Sequence, residues 1–310
     1  MNTHPVKNES APPSFIDFPD GRRLAYHLSE GKLPGVVFMG GFKSDMAGVK
    51  ATALETFCRK EGRRFLRFDY SGHGRSSGDF RQNTIGSWKQ DALDMIDQVA
   101  MGRNILVGSS MGAWIVLLVA RERPQGIAGL IGIASAADFT ERLIWQKLDD
   151  AQKKQLEEEG VIYLPSCAGQ EPYPITSRLI KDGRQHLLLD KKIAIHAPVR
   201  LIHGDKDEDV PWQMSVALMD CIVSPDISLE LVKDGDHRLS QPEHLEILCR
   251  TIACHPALDP VIRQGDRKNP LPATKFDGNA VTPCNLHSNP KIPASPPDHA
   301  PSIPAGRFTH

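Results

Sequence analysis

The chain of 310 residues is long enough for one large domain or two small ones. Its hydrophobic fraction of 40% and charged fraction of 24% are those of an ordinary soluble globular protein, and a formal net charge of -1 argues against nucleic acid or an anionic membrane as a general partner. The longest apolar runs are strand- or helix-sized, short of the ~20 residues that span a bilayer, so no stable membrane insertion is expected.

The opening segment, MNTHPVKNESAPPSF, has no apolar core and reads neither as a secretory signal nor as a good amphipathic transit peptide, and residues 1–11 are read as flexible. From Phe15, "FIDFPDGRRLAYHLSE" predicts two strands about an Asp-Gly turn. "GVVFMGG" (35–41) predicts a buried strand. "AGVKATALETFCRKEG" predicts a helix ending at Gly62, with Ser44 or Asp45 as its N-cap. "RFLRFDY" (64–70) is a further strand, followed by a Gly/Ser loop. In "NTIGSWKQDALDMIDQVA", Ile85, Trp88, Ala92, Ile96 and Val99 share one helical face. "NILVG" (104–108) predicts a strand, "MGAWIVLLVARE" a helix and "IAGLIGIAS" (127–135) a strand. After an interruption come a strand at "VRLIHG" (199–204) and a helix at "PWQMSVALMDCI", with Pro211 in its first turn. The last strand is "ISLELVK" (227–233) and the last helix "PEHLEILCRTIAC" (242–254).

Alternating strands and helices imply an α/β protein whose mostly parallel, twisted sheet is covered by helices on both faces. Such sheets bind ligands in the loops beyond the carboxyl ends of their strands. Two segments break the alternation. Residues 138–190 are charged and partly helical, and lie between two core strands, so they are read as a lid inserted over the strand ends. Residues 255–310 carry eleven of the 24 prolines, few large apolar side chains and no periodicity; this composition predicts a disordered tail after a domain spanning 12–254. The six cysteines (58, 167, 221, 249, 254, 284) form no CxxC pair and predict reduced thiols in a cytoplasmic protein rather than disulfides or a zinc site.

Gly-x-Ser-x-Gly occurs twice, in "GHGRSSG" at Ser76 and in "GSSMG" at Ser110. A nucleophilic serine needs a sharp strand-to-helix turn with small flanking residues, and a helix N-terminus that points N–H groups at the developing oxyanion. Ser110 meets these conditions: "NILVG" precedes it, "GAWIVLLVARE" follows, and Gly108 and Gly112 flank it. Ser76 is followed by polar "SGDFRQN" and reads as a turn hydroxyl, and Ser109 as a small residue packed in a crowded turn.

A serine is a weak nucleophile without a base. His237, between the last strand and the last helix, is the candidate; His203 and His244 read as structural. The base needs a carboxylate to hold its tautomer, and "LIHGDKDEDVPW" offers Asp205, Asp207 and Asp209. Asp138, at the entry to the lid, is an alternative acid, and Asp236 reads as a solvated loop charge. The alternating aspartates also resemble the start of a calcium loop, but Val210 and Val216 stand where such a loop needs Gly and Glu. "GHGRSSG" lacks the spacing of a dinucleotide fingerprint. No metal or organic cofactor is expected.

The motifs "GSSMGAW", "RFDYSGHGRSSG", "HGDKDEDVPW" and "GDHRLS", in this order, resemble the α/β-hydrolase superfamily. "GGFKSDMAG" together with "FDYSGHGRSSG" and "GDHRLS" is similar, more narrowly, to bacterial relatives of the mitochondrial α/β-hydrolase-domain acyl-glucuronide esterases, also described as protein depalmitoylases. The resemblance covers about residues 12–254. It implies an α/β-hydrolase fold and a serine hydrolase cleaving carboxylic esters or thioesters through an acyl-enzyme on Ser110, with His237 as base and Asp207 as its acid. It also implies an oxyanion hole made by the N–H groups of Met111 and Phe42. Gly40-Gly41-Phe42 departs from the His-Gly-x that many relatives carry there, which leaves the main-chain donor in place. Trp145, Leu164, Leu179 and Leu187 of the lid are candidates for an acyl pocket, and packing within the lid explains them equally well. Two other readings stay open: a non-catalytic hydrolase-fold binding protein, and an amidase or peptidase of the same superfamily. The sequence is silent on oligomeric state.

Overall fold

The computed structural model describes residues 12–165 and 172–258. The readings of residues 1–11 and of most of the 255–310 tail therefore lie outside the described residues, as do Cys167 and Cys284. Strands β1 (Ser14–Asp17) and β2 (Arg23–Ser29) form the expected antiparallel hairpin, turning where Gly21 takes φ +88°. β3 (Lys32–Met39), helix α1 (Val49–Lys60), β4 (Arg63–Phe68), α2 (Ile85–Met95), β5 (Asn104–Ser109), α3 (Met111–Glu122) and β6 (Ile127–Ile133) follow in alternation. Beyond the lid come β9 (Val199–Gly204), α6 (Gln213–Cys221), β10 (Ile227–Val232) and α7 (Pro242–Ala253); the lid itself holds α4 (Asp150–Glu159), β7 (Val161–Leu164), β8 (Tyr173–Thr176) and α5 (Ser177–Gly183).

Eight strands form one sheet in the order β1-β2-β4-β3-β5-β6-β9-β10. β1, β2 and β4 pair antiparallel, and every pairing from β4 to β10 is parallel. The register sets Met39 beside Gly108, Ser109 beside Ile133 and Gly204 beside Val232, so the carboxyl ends of β3, β5, β6, β9 and β10 open on one edge. Alternation along each strand divides the core. Val36, Phe38, Ile105, Val107 and Ile202 pack against α1 and α7 on one face. Val37, Met39, Leu106, Leu130 and Leu201 pack with α2, α3 and α6 on the other. Both faces are covered, as a parallel sheet requires. Every residue of α3 from Met111 to Ala120 is buried, which explains a helix apolar on all sides.

Three local expectations are corrected. The N-cap of α1 is Gly48, with no side-chain cap; Ser44 instead donates to the Gly41 carbonyl, and Asp45 accepts the Ala47 N–H in a tight local turn. Pro211 stands ahead of α6, where its carbonyl accepts the Met214 N–H. The lid is less helical than its composition predicts. Only α4 is a full helix, begun by Asp149 in a reciprocal cap with Gln152 and stopped at Gly160 with φ +78°. The rest folds as the β7–β8 hairpin, short turns and α5. At the C-terminal end, the described chain runs beyond Cys254: His255 is buried against Gly129 of β6, and residues 256–258 make one 3-10 turn. Among the described residues, no helix is long and apolar enough to cross a membrane.

Candidate active site

Ser110 sits between β5 and α3 with φ 55° and ψ -119°, a strained backbone for a residue with a Cβ. Crowding makes the turn possible only with glycine on each flank. A Cβ at Gly108 would lie 2.4 Å from the Gly112 carbonyl oxygen, and one at Gly112 would lie 2.1 Å from that of Met39. The ladder continues into the turn, because the Ser110 N–H donates to the Ile133 carbonyl at 2.8 Å. The hydroxyl is thereby held clear of the backbone at the open edge of the sheet.

His237 reaches this edge from the loop after β10. That loop is locked to the loop after β9 by three contacts: Asp205 Oδ1 accepts the Asp234 N–H, Gly235 accepts the Lys206 N–H, and Gly204 lies so close to Gly235 that a Cβ would meet its carbonyl oxygen at 2.1 Å. Asp236 is no free charge; its carboxylate accepts the Leu239 N–H. His237 Nε2 lies 3.1 Å from Ser110 Oγ, and His237 Nδ1 lies 2.7 Å from Asp207 Oδ2. The structure thus brings three of the sequence candidates into one row. The carboxylate takes the Nδ1–H, which leaves Nε2 with its lone pair toward the hydroxyl.

Asp207 has no exposed side-chain surface and is held from every side. Its Oδ1 accepts the N–H groups of Val210 and Asp209 at 2.8 and 3.0 Å, and its Oδ2 accepts His203 Nε2 at 3.1 Å as well as His237. Burial alone would raise this carboxyl, but the hydrogen bonds from His203 and His237, the attraction of His237 and the Val210 N–H outweigh it and hold the group well below the usual carboxylate range. His203 is buried, and its other nitrogen meets Ser215 Oγ at 2.7 Å. Its bond to Asp207 lies outside what the sequence shows, because a histidine four residues before an acid carries no such signal without the turn between them.

The rival acids lie elsewhere. Asp138 is fully buried, with φ +59°, and accepts the Leu188 and Leu189 N–H groups, so it ties the two ends of the lid together. Asp205 and Asp209 contribute to the loops around Asp207. Asp207, Asp209 and His237 bring possible ligand atoms within 4.8 Å of one another. Asp207 and His237 are already hydrogen-bonded to each other, so a cation held by both would compete with the contact that orients the imidazole. Ser76 is a turn hydroxyl: it accepts the Ala25 N–H and donates to the Asp69 carbonyl.

The N–H groups of Phe42 and Met111 flank the Ser110 turn. Met111 opens α3, where the first N–H groups have no partner within the helix. The Phe42 N–H meets no acceptor among the described residues. A cleft of about 640 Å³ opens over these groups. Its lining includes the apolar Phe42, Phe139, Leu143, Ile144, Leu164 and Ile175 and the charged Lys43, Asp45, Lys50 and Arg238. Burial pulls the Lys50 ammonium down to about 8, and it donates to the Arg238 carbonyl. Of the four lid residues expected to line an acyl pocket, only Leu164 does so. Trp145 stacks with Arg184 and Lys153, Leu179 is buried, and Leu187 packs on the core.

A mostly parallel sheet, a serine on its central strand-to-helix turn and an imidazole bridging it to a buried carboxylate define a class, the serine hydrolases of α/β-hydrolase architecture. The family model described as "Serine aminopeptidase, S33" matches residues 35–158. The mouse palmitoyl-protein thioesterase ABHD10, mitochondrial, is 44% identical over 242 residues, covering 77% of this chain and 80% of the relative. The human protein of the same name is 41% identical over 240 residues, covering 77% and 78%. The solved structure of mouse alpha/beta hydrolase domain-containing protein 10 superposes with a TM-score of 0.73 at 42% identity, over 78% of this chain and 97% of that one. The chain belongs to the α/β-hydrolase superfamily, in the family of these ABHD10 proteins, and is a serine hydrolase of the esterase and thioesterase class.

Proposed function

We propose that Ser110, His237 and Asp207 act as a catalytic triad that hydrolyses long-chain acyl esters and thioesters, S-acylated protein or peptide among them. The observation that carries this reading is the continuous row from Asp207 through His237 to the Ser110 hydroxyl. His237 takes the proton of Ser110 as its oxygen attacks the acyl carbon. The tetrahedral oxyanion forms against the N–H groups of Phe42 and Met111. His237 returns the proton to the leaving thiol or alcohol, and then draws a proton from water, whose attack releases the fatty acid and regenerates Ser110. Asp207 stays ionised and stabilises the imidazolium. The apolar residues that line the cleft support a fatty acyl chain, and the thioesterase relatives support a thiol leaving group.

The test pairs a fluorophosphonate probe with an acyl panel. Wild-type protein is expected to label and to turn over S-palmitoyl peptide and p-nitrophenyl esters. Ser110→Ala is expected to lose labelling and at least ~10³-fold of turnover while staying folded. Retained turnover in Ser110→Ala contradicts the reading. Cleavage of aminoacyl p-nitroanilides in preference to the esters would favour a peptidase, the activity named for the matching family model.

A further inference from the structure

The second Gly-x-Ser-x-Gly segment has no part in the chemistry above, yet it is fastened to the loop that carries half of the proposed oxyanion hole. Residues 69–78 leave β4 and fold back under residues 40–46. Ser76 and Ser77 hydroxyls accept the N–H groups of Ala25 and Arg23 on β2, so the segment is pinned to the sheet. Asp91 of α2 accepts from the Ser71 N–H and hydroxyl, and Trp88 Nε1 donates to the Ser71 carbonyl. From this anchored base two groups reach the oxyanion loop. Asp69 accepts the Met46 N–H at 2.6 Å, and His73 Nε2 accepts the Lys43 N–H at 3.2 Å.

We infer that His73 is a positioning residue for the oxyanion hole, its unprotonated Nε2 holding the Lys43 N–H and thereby aiming the Phe42 N–H at the developing oxyanion. Lys43 has φ 56°, a conformation that a lysine does not adopt without outside restraint. Phe42 and Lys43 are consecutive, so fixing the Lys43 N–H restrains the ψ rotation of Phe42 and steadies the short loop that carries the Phe42 N–H. His73 itself has no freedom to follow. It is 4% exposed and boxed by the rings of Tyr70, Phe80 and Trp88 at 5.6, 5.0 and 5.2 Å. Its Nδ1 faces the Ser71 carbonyl at 3.4 Å, which sets the tautomer with the proton on Nδ1 and the lone pair on Nε2. Burial pulls the imidazole down to about 4, which keeps it neutral and able to accept. The same box extends to the Phe42 ring, which Phe80 and Trp88 meet at 4.9 and 5.9 Å. The histidine and the donor residue are therefore held by one aromatic wall.

This inference rests on the proposed role of Ser110, and its test separates the two. His73→Leu removes the acceptor, and His73→Gln restores one, because its amide oxygen reaches about as far as Nε2. The Leu variant is expected to lose ~10- to 100-fold in kcat with KM nearly unchanged, since only the transition state uses the hole. Inhibition by a trifluoromethyl ketone, whose hemiketal oxyanion needs the same donors, should weaken by the same factor, and His73→Gln should recover most of both losses. A folded Leu variant with wild-type kcat, or a Gln variant no better than Leu, overturns the assignment. If the Leu variant does not fold, 15N NMR of the wild-type protein decides. Coupling across the hydrogen bond from the Lys43 amide to an unprotonated Nε2 supports the assignment, and a protonated Nε2 at neutral pH overturns it. Ser110→Ala is the control: turnover surviving there refutes the site itself, whereas loss there beside an unaffected His73→Leu refutes only the role of His73.

Discussion

At the scale of single residues, the acid of the row is its most over-determined member. Asp207 accepts two main-chain N–H groups and two imidazoles, and these hold its carboxyl well below the usual range. It therefore stays charged through the neutral and mildly acidic range. The acid side of the pH profile is thus not set by Asp207. His73 acts there instead: as pH falls toward 4 its Nε2 takes a proton and can no longer accept the Lys43 N–H, so kcat of the folded protein should fall through that value, and an unchanged kcat would contradict the role of His73. Asp207→Asn keeps the shape but loses the charge and can reverse the tautomer, so turnover is expected to fall ~10³- to 10⁴-fold in a p-nitrophenyl ester assay. Ser110, Asp207 and His237 were legible because motif and element order expose them in the chain. The bonds of His203 and His73 were not, because each depends on a loop folding back to a residue that spacing alone does not mark as its partner.

At the scale of elements, a parallel strand, a tight turn and an apolar helix form the unit on which the site is built, and close backbone approach is what it demands. Gly112 packs its Cα against the carbonyls of Met39 and Gly40 at the end of β3, while Gly126 has open space around its Cβ position. Gly112→Ala must push α3 away from β3, carrying Met111 and Ser110 with it. It is expected to destabilise by several kcal/mol, and to lower activity more than stability accounts for. Gly126→Ala should stay within about 0.5 kcal/mol of wild type. Urea unfolding of the two variants checks both outcomes, and equal effects would refute the packing argument. Core strands and helices were readable because a sheet buried on both faces forces short, nearly continuous apolar runs between caps. The lid was not. Its charges mimic helical periodicity, and the β7–β8 hairpin has only short half-buried strands to announce it. The start of α1 departs from the sequence expectation for a related reason: Ser44 and Asp45 are good caps by type, but both are spent inside the loop after β3.

At the scale of the whole molecule, stability and catalysis meet in the buried histidines. His73 and His255 are both pulled down to about 4 by burial, from an ordinary value of 6.5. Between these limits the unfolded chain binds protons that the folded one refuses, so each group makes folding less favourable as pH falls from 6.5 toward 4, with no further loss below. Buried Asp69, Asp91 and Asp138, whose carboxyls burial raises, act in the opposite sense as they take up protons. Asp207, depressed instead, loses its contribution only below its ordinary 3.8, outside this window. The net slope of stability with pH therefore mixes signs, and a difference between variants isolates one group. His255 suits this because it lies on Gly129 of β6, away from the chemistry, and a ring of similar size fills its place. His255→Phe should change stability at pH 7 by no more than about 1 kcal/mol, the strength of the Ala257 hydrogen bond it gives up. Between pH 7 and pH 5 it should gain about 2 kcal/mol on wild type, because the phenyl ring has no proton to refuse. Urea titrations of both proteins at the two pH values measure that gain directly. Parallel curves would mean that His255 is protonated inside the fold, with the Leu130 and Pro198 carbonyls and Asp226 outweighing the cost of its burial.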